Sequence, residues 1–239
     1  MAAMLTIDRR FRGPRRSGNG GVSAGLAAGF LDGPATVRLR RPPPVDRPLT
    51  VQRGSDHVQI MDGDELVLQA QPASDGIEVA VDDELVERTF DRGTTPVPEG
   101  HPAPECFVCG PRDDGLRINP TALEGTQLWA TVWLPDGSVS SDGRQVEPHV
   151  VWGALDCPAG FAAVRAGRAP LTHFPALTEL TVTFDNHVRI GEPVAVWGWP
   201  SGQDDEHVDA ATAIIDADGV VCATGYARHT LVPVDFAQR

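Results

Sequence analysis

The sequence predicts an α+β fold made of two tandem units, each an antiparallel sheet wrapped around a central helix, with the units paired as a pseudo-dimer. Three observations lead to this prediction. A strand pattern recurs in both halves of the 239-residue chain, a helical segment rich in small residues precedes each copy, and a Pro- and Gly-rich segment separates them. Two units also suit this length, because domains cluster near about 100 to 150 residues.

The first helix is predicted in GGVSAGLAAGFL, residues 20–31. Val22, Leu26 and Phe30 recur there at helical spacing and form one apolar stripe. Gly25 and Gly29 lie between them, and residues without a bulky side chain allow a neighbouring element to approach closely.

The strands follow in the same order in each half. TVRLRRPPPVDRPLTV (36–51) aligns without a gap on TVTFDNHVRIGEPVAV (181–196), and each predicts a strand, a turn and a second strand. Further along, IMDGDELVLQA (60–70) aligns on IIDADGVVCAT (214–224), where Asp and Gly supply the turn of a hairpin. The pattern therefore indicates an internal repeat.

A second helix is predicted in HVVWGALDCPAGFAAV, residues 149–164, with Val151 and Leu155 facing inward. The segment RGTTPVPEGHPAPE between the halves is typical of a linker. The predicted domains are an N-terminal unit over residues 1–91, a linker over 92–105 and a C-terminal unit over 106–239.

Composition and charge exclude several classes of protein. Apolar residues make up 41% of the chain and charged residues 22%, which favours a packed globular fold over disorder. The net charge of −13 argues against nucleic-acid or membrane partners, although residues 1–60 carry +6 and the remainder −19. No run approaches the roughly 18 apolar residues of a membrane span, and the charged N-terminal segment is unlike a signal peptide. We therefore expect a cytoplasmic protein.

The four cysteines do not suggest a disulfide scaffold in a chain of this size. Cys106 and Cys109 have the spacing of half a zinc knuckle, but no second pair follows. Scattered candidates for further ligands are His101, His149, Cys157 and Cys222. The favoured interpretation is an ordered thiol turn without metal, with a metal site as the alternative, and no cofactor is expected.

The residues around the two predicted helices resemble the hotdog fold, specifically the hotdog acyl-CoA thioesterases. In that family the helix opens with a His-Gly-Gly-like turn and carries an Asp or Glu two turns later. Asn19, Gly20 and Gly21 match the opening in the first half, whereas Leu155 and Asp156 match the later positions in the second. The resemblance implies two hotdog units in one chain, a double hotdog, with thioesterase activity.

The resemblance also implies that an active site lies between two units, one supplying backbone N–H groups at its helix start and the other a carboxylate. A helix start is electropositive and leaves N–H donors unpaired, so it can stabilise the oxyanion of a thioester under attack. The first half has Gly20 and Gly21, to which the Asn19 amide adds a further donor, but Ala28 stands where its acid would be.

The second half shows the opposite loss. It keeps Asp156, but Pro148 and His149 replace the two glycines, and proline has no N–H to donate. We therefore predict one complete site and an inactive mirror site. The predicted catalytic residues are Asn19, Gly20, Gly21 and Asp156.

Each role has an alternative. Asp-Cys-Pro also suits a helix start, with Asp156 or Cys157 as the N-cap and Pro158 in the first turn. Gly20 and Gly21 suit a purely conformational turn as well as oxyanion binding. If Asp156 is catalytic, it acts either as a nucleophile that forms an anhydride or as a general base towards water.

Basic and aromatic residues are candidates for contacts with the substrate. Arginines of the first half can bind the phosphates of coenzyme A, although a solvated face is the alternative for any one of them. Trp197 and Trp199 lie on one side of a strand, where core packing is the default and an acyl pocket the alternative. The predicted substrate-binding residues are Arg15, Arg16, Arg40, Arg41, Trp152 and Phe161.

The predicted function is therefore hydrolysis of an acyl-CoA or acyl-carrier thioester. The alternative is a non-catalytic acyl-CoA-binding hotdog protein, because each half has lost part of the motif. A hydratase would need an Asp and a His on one loop, and no such motif is found in the sequence. A homodimer of double-hotdog chains is possible, because exposed sheet edges often join across a two-fold axis.

Overall fold

A computed structural model describes residues 3–73, 77–164, 172–204 and 206–235, which form eleven strands and three α-helices. The N-terminal half contains β1 (Ala3–Thr6), α1 (Gly20–Ala28), β2 (Ala35–Leu39), β3 (Pro48–Arg53), β4 (Val58–Asp62) and β5 (Glu65–Pro72). Helix α2 (Asp83–Arg92) follows. The C-terminal half contains β6 (Thr121–Ala122), β7 (Trp129–Trp133), α3 (Pro148–Ala163), β8 (His173–Phe184), β9 (Val194–Gln203), β10 (His207–Ile215) and β11 (Val221–Pro233).

The strands of the described residues pair antiparallel in one sheet, in the order β1-β3-β4-β5-β2-β8-β11-β10-β9-β7-β6. The two halves meet where β2 pairs with β8. Polar pairs cross this joint: the Thr36 and Thr181 hydroxyls lie 2.7 Å apart, and the Arg38 guanidinium donates to Glu179. The predicted hairpins are confirmed as β4–β5 and β10–β11, and the predicted α+β architecture of two paired sheet-and-helix units is confirmed.

Helices α1 and α3 pack against each other on one face of this sheet. Glycine makes their close approach possible, because a Cβ at Gly21 would lie 2.5 Å from the Trp152 carbonyl oxygen. At Gly25 a Cβ would lie 2.6 Å from the His149 Cα. The glycines of α1 therefore allow α3 to pack directly against the backbone of α1.

The sequence did not predict α2, which covers the opposite face of the sheet. Asp82 caps it by accepting from the Glu84 N–H at 2.9 Å. Thr89 lies on the buried face of α2 and accepts a hydrogen bond from Trp197 Nε1 at 2.9 Å. Trp197 and the partly buried Trp199 thus belong to a second apolar cluster under α2. The predicted domain boundary at residue 91 falls within α2, which packs on strands of the C-terminal half, and it stays a prediction.

No helix within the described stretches of the chain combines the length and apolar character needed to cross a membrane.

Candidate active site between the two central helices

Asp156 lies where the two central helices meet. It is the ninth residue of the sixteen-residue α3 and only 6% exposed. Its Oδ2 accepts a hydrogen bond from the backbone N–H of Gly21, at the start of α1, over 2.8 Å. A carboxylate of the C-terminal half therefore touches the helix start of the N-terminal half, where the helix dipole favours negative charge.

His229, on β11, is the second partner of this carboxylate. The histidine is 1% exposed, and its Nε2 lies 3.3 Å from Asp156 Oδ1. If Asp156 is ionised, Nε2 must carry the proton of this hydrogen bond. Both carboxylate oxygens then have a donor, one from each half of the protein. The sequence interpretation missed His229; its only signal is a polar side chain in phase with the buried Ala227 and Ala223.

The geometry excludes one alternative for Asp156 and limits the reasons for glycine at positions 20 and 21. The capping interpretation of Asp156 is wrong, because α3 begins at Pro148 and Asp156 lies two turns inside it. Neither Gly20 nor Gly21 has a positive φ, so a left-handed turn is not what requires glycine. A Cβ at Gly20 would lie 3.0 Å from Leu177 and 3.3 Å from Asp156 Oδ2, so here the missing side chain makes room for the carboxylate.

Asn19 caps α1 rather than pointing freely into the site. Its Oδ1 accepts from the Val22 N–H at 2.9 Å, and the residue is 3% exposed. Its Nδ2 faces two sulfur atoms, Cys157 Sγ at 3.6 Å and Cys106 Sγ at 3.7 Å. The amide therefore fixes the helix start and donates towards a group of thiols.

The mirror position between the helices is built differently. Pro148 is the first residue of α3, and Ala28 is the last residue of α1, where a carboxylate would be needed. The His149 ring packs edge-on against Phe11 at 5.1 Å, and burial lowers the pKa of this histidine. Ala28 therefore stands in place of the acid, and Pro148 and His149 stand in place of the two glycines.

A cavity of about 660 Å³ opens beside Asp156. This volume lies within the range of small-molecule sites, about 300 to 1,000 Å³. Asp156, His229 and Gly20 line it together with apolar residues of β8, β11 and the last turn of α3. The carboxylate and its histidine therefore border a space large enough for a substrate.

The predicted substrate-binding residues fall into two groups. Arg40, Arg41 and Phe161 line the cavity, and both arginines are exposed at its mouth. The remaining three do not line it: Arg15 and Arg16 are exposed in a turn before α1, and Trp152 is 3% exposed in the core. Trp152 packs against α1, since a Cβ at Gly25 would lie 2.8 Å from it.

Three thiols from two distant segments of the chain also border the cavity: Cys106 and Cys109 in one loop, and Cys157 on α3. The structure places their sulfur atoms within 4.8 Å of one another. Hydrogen bonds from the other two thiols lower the pKa of Cys106 well below its usual value, and the same interactions with Cys106 raise those of its two partners. The three thiols are therefore close enough to interact as one group.

Solved structures with a similar fold cover nearly the whole chain. A hotdog-fold protein of unknown function from Alicyclobacillus acidocaldarius superposes with a TM-score of 0.60 at 12% identity, covering 96% of this chain and 92% of that chain. A TesB protein from Mycobacterium avium subspecies paratuberculosis gives 0.57 at 16% identity, again with 96% and 92% coverage. The acyl-CoA thioesterase II TesB2 from Mycobacterium marinum gives 0.53 at 13% identity, with the same coverage.

No family profile and no curated protein matches the sequence. The structural likeness spans nearly the whole chain and confirms the expected fold: two hotdog units paired within one polypeptide.

Proposed function

We propose that this double-hotdog protein hydrolyses acyl thioesters of coenzyme A or of an acyl carrier. The observation that carries the proposal is the buried carboxylate of Asp156, bonded to the Gly21 N–H of the other half at the edge of a substrate-sized cavity. Some structural neighbours carry thioesterase names, and their likeness extends over 96% of the chain.

The proposed site is composite, and one pseudo-dimer holds a single copy of it. The N-terminal half supplies the start of α1, and the C-terminal half supplies Asp156 and His229. At the mirror position, Ala28 and Pro148 provide neither a carboxylate nor an N–H donor. Divergence of the two halves has therefore left one site competent.

Asp156 is proposed to act on the thioester carbonyl in one of two ways. As a general base it takes a proton from water, whose oxygen bonds to the carbonyl carbon while the carbon–sulfur bond breaks and the thiol leaves. As a nucleophile it displaces the thiolate itself and forms an anhydride, which water then cleaves. His229 is a positioning residue in both cases, because it contacts the carboxylate and holds its orientation.

The oxyanion of either route needs donors, and Gly20 is the proposed source. It lines the cavity at the first position of α1, where backbone N–H groups have no carbonyl one turn earlier within the helix. Its missing side chain also lets a carbonyl approach. The Gly21 N–H is already given to Asp156.

The mouth of the cavity suits a phosphate-bearing thiol carrier. Arg40 and Arg41 are exposed there, and guanidinium groups bind phosphate bidentately. Arg41 is 3.0 Å from Glu65 across the surface, so a phosphate would compete with that carboxylate. Arg15 and Arg16 remain proposed contacts for a more distant part of the carrier. The apolar walls would take the acyl chain.

The same geometry also favours a second candidate, a non-catalytic acyl-CoA-binding protein. The Gly21 donor is occupied by Asp156, which leaves fewer N–H groups for an oxyanion. Thiol release from a panel of acyl-CoA thioesters, measured beside equilibrium binding of the same compounds, separates the two functions. Turnover supports the hydrolase, whereas binding without turnover supports the binding protein.

Single-turnover hydrolysis in ¹⁸O-labelled water tests for a nucleophilic Asp156. Only cleavage of the anhydride at the aspartyl carbon gives a result that a general base cannot give. A nucleophilic carboxylate acquires the label when water cleaves the anhydride at the aspartyl carbon, and peptide mass spectrometry finds it on Asp156. A general base leaves Asp156 unlabelled and places all the label in the product acid.

We further propose that chains associate as homodimers. The described sheet ends at β1 and β6, which offer unpaired edges. Sedimentation velocity of the purified chain gives its mass in solution; a 25.5 kDa species at all concentrations would argue against association.

A further inference from the structure

The three cysteines beside the cavity have the arrangement of metal ligands. Cys106 and Cys157 are 51 residues apart in sequence, yet their sulfur atoms lie 3.8 Å apart. A disulfide requires about 2.05 Å between sulfur atoms. Two thiolates bound tetrahedrally to zinc at about 2.3 Å lie about 3.8 Å apart. The observed separation therefore matches the edge of a zinc tetrahedron.

The loop that carries two of these thiols is held in a defined shape. The Gly110 N–H donates to the Cys106 carbonyl at 2.9 Å, and the Ile118 N–H donates to the Val108 carbonyl at 2.9 Å. Asn119 Nδ2 donates to the Cys109 carbonyl at 2.8 Å. These hydrogen bonds hold the loop that carries Cys106 and Cys109 in one conformation.

This loop is also anchored to the N-terminal half. Phe107, between the two cysteines, is fully buried, and its ring packs edge-on against Phe11 with centroids 5.0 Å apart. The Phe107 N–H donates to the Arg12 carbonyl at 2.8 Å. The loop is thereby positioned so that its thiols meet Cys157, on α3.

The surroundings of the cluster favour a metal ion over an inert thiol group. Asn19 Nδ2 points at both Cys106 and Cys157, as outer donors to ligand sulfur atoms do. All three cysteines line the cavity, so a metal held by them has its fourth position on the cavity side. Three protein ligands and an open position are the arrangement of catalytic zinc sites, and thiolates select zinc over magnesium or calcium.

We propose that Cys106, Cys109 and Cys157 bind one zinc ion at the wall of this cavity. The ion neutralises the charge of two of the three thiolates and ties the loop that carries Cys106 and Cys109 to α3. Binding of the ion does not depend on the proposed hydrolase activity, and it is measured without a substrate.

The test uses the untagged full chain purified under reducing conditions without chelators. Zinc is counted by plasma mass spectrometry, and the zinc-free protein is titrated with Co²⁺, whose thiolate complexes show charge-transfer and visible d–d absorption. We expect one zinc per chain and a tetrahedral cobalt spectrum. Cys157→Ser should lose both. Cys222→Ser is the matched control, because Cys222 is buried on β11 and is not a member of the cluster, and it should keep both.

A readout on the unmutated chain covers the case in which the serine variants unfold. Zinc should protect three of the four thiols from a disulfide reagent, and a chelator should restore their reactivity. The proposal is overturned if the reduced wild-type protein binds neither zinc nor cobalt, or if Cys157→Ser binds as much as Cys222→Ser. Recovery of Cys106 and Cys157 as a disulfide from reduced protein incubated with zinc would also overturn it.

Discussion

Replacing His229 with leucine tests whether this histidine positions the proposed catalytic carboxylate of Asp156. The side chain is 1% exposed, and Nε2 lies 3.3 Å from Asp156 Oδ1, whereas Gly21 holds Oδ2 at 2.8 Å. Leucine fills the buried position with an apolar side chain of similar size but offers no donor. Asp156 Oδ1 then loses its hydrogen bond while Oδ2 keeps its own.

The size of the effect follows from the length of that bond. Hydrogen bonds to charged groups contribute about 1.5 to 3 kcal/mol, and the strong ones measure about 2.7 to 2.9 Å. At 3.3 Å the Asp156–His229 contact belongs at the lower end, about 1.5 kcal/mol. A loss of about 1.4 kcal/mol in transition-state stabilisation is a tenfold loss in rate. We therefore expect kcat for acyl-CoA hydrolysis to fall about tenfold.

Steady-state thiol release with His229→Leu and His229→Gln measures this effect. KM should change little, because the contact orients the carboxylate and not the substrate. Glutamine keeps an N–H donor, so His229→Gln should lose less activity than His229→Leu. In a cycle with Asp156→Asn, the double variant should be no slower than Asp156→Asn alone. An unchanged kcat for His229→Leu, with folding verified by circular dichroism, would refute the positioning role.

Two further predictions concern stability. Gly25→Ala places a Cβ 2.6 Å from the His149 Cα, so urea denaturation should show that the free energy of unfolding falls by about 1 to 3 kcal/mol. Gly29→Ala is the control and should be near neutral, because the nearest atom to its Cβ lies at 3.5 Å. Equal effects of the two substitutions would contradict the packing argument. Asp209 accepts from Arg228 at 2.8 and 2.9 Å, which lowers the pKa of its carboxyl. Its contribution is therefore present above the unfolded pKa of about 3.9 and lost as pH falls through the lower folded value. The stability gap between wild type and Asp209→Asn should close in acid; a gap that widens there would contradict the assignment.

Patterns within one segment allowed the sequence to predict much of the fold. The helical spacing of small and apolar residues in α1 and α3, and the Asp-Gly turns of the two hairpins, are local signals. The pairing of α1 with α3 followed from the same local signal, because the glycines of α1 allow another helix to pack closely against it. The contact between Gly21 and Asp156, expected from the two complementary losses, is present.

Features that depend on which surfaces meet were not predictable. Helix α2 covers the far side of the sheet through Thr89 and Trp197, which are 108 residues apart. His229 lies on β11 and faces α3. The pairing of β11 with β8 shifts register between Arg228 and His229, so the residue opposite His229 on β8 could not be predicted from the alternation along the strand. Cys157 contacts Cys106 because the loop that carries Cys106 is held against the N-terminal half by the hydrogen bond from Phe107 to Arg12. The sequence gives no local signal for this contact.

Asp156→Asn most directly tests the claim that the buried carboxylate performs thioester hydrolysis. Asparagine preserves size, so circular dichroism and acyl-CoA binding should be retained while thiol release falls to the uncatalysed background. Asp64→Asn, in the exposed turn between β4 and β5, is the matched control and should turn over as the wild type does. Turnover by Asp156→Asn equal to that of the wild-type protein would contradict the proposed catalytic site.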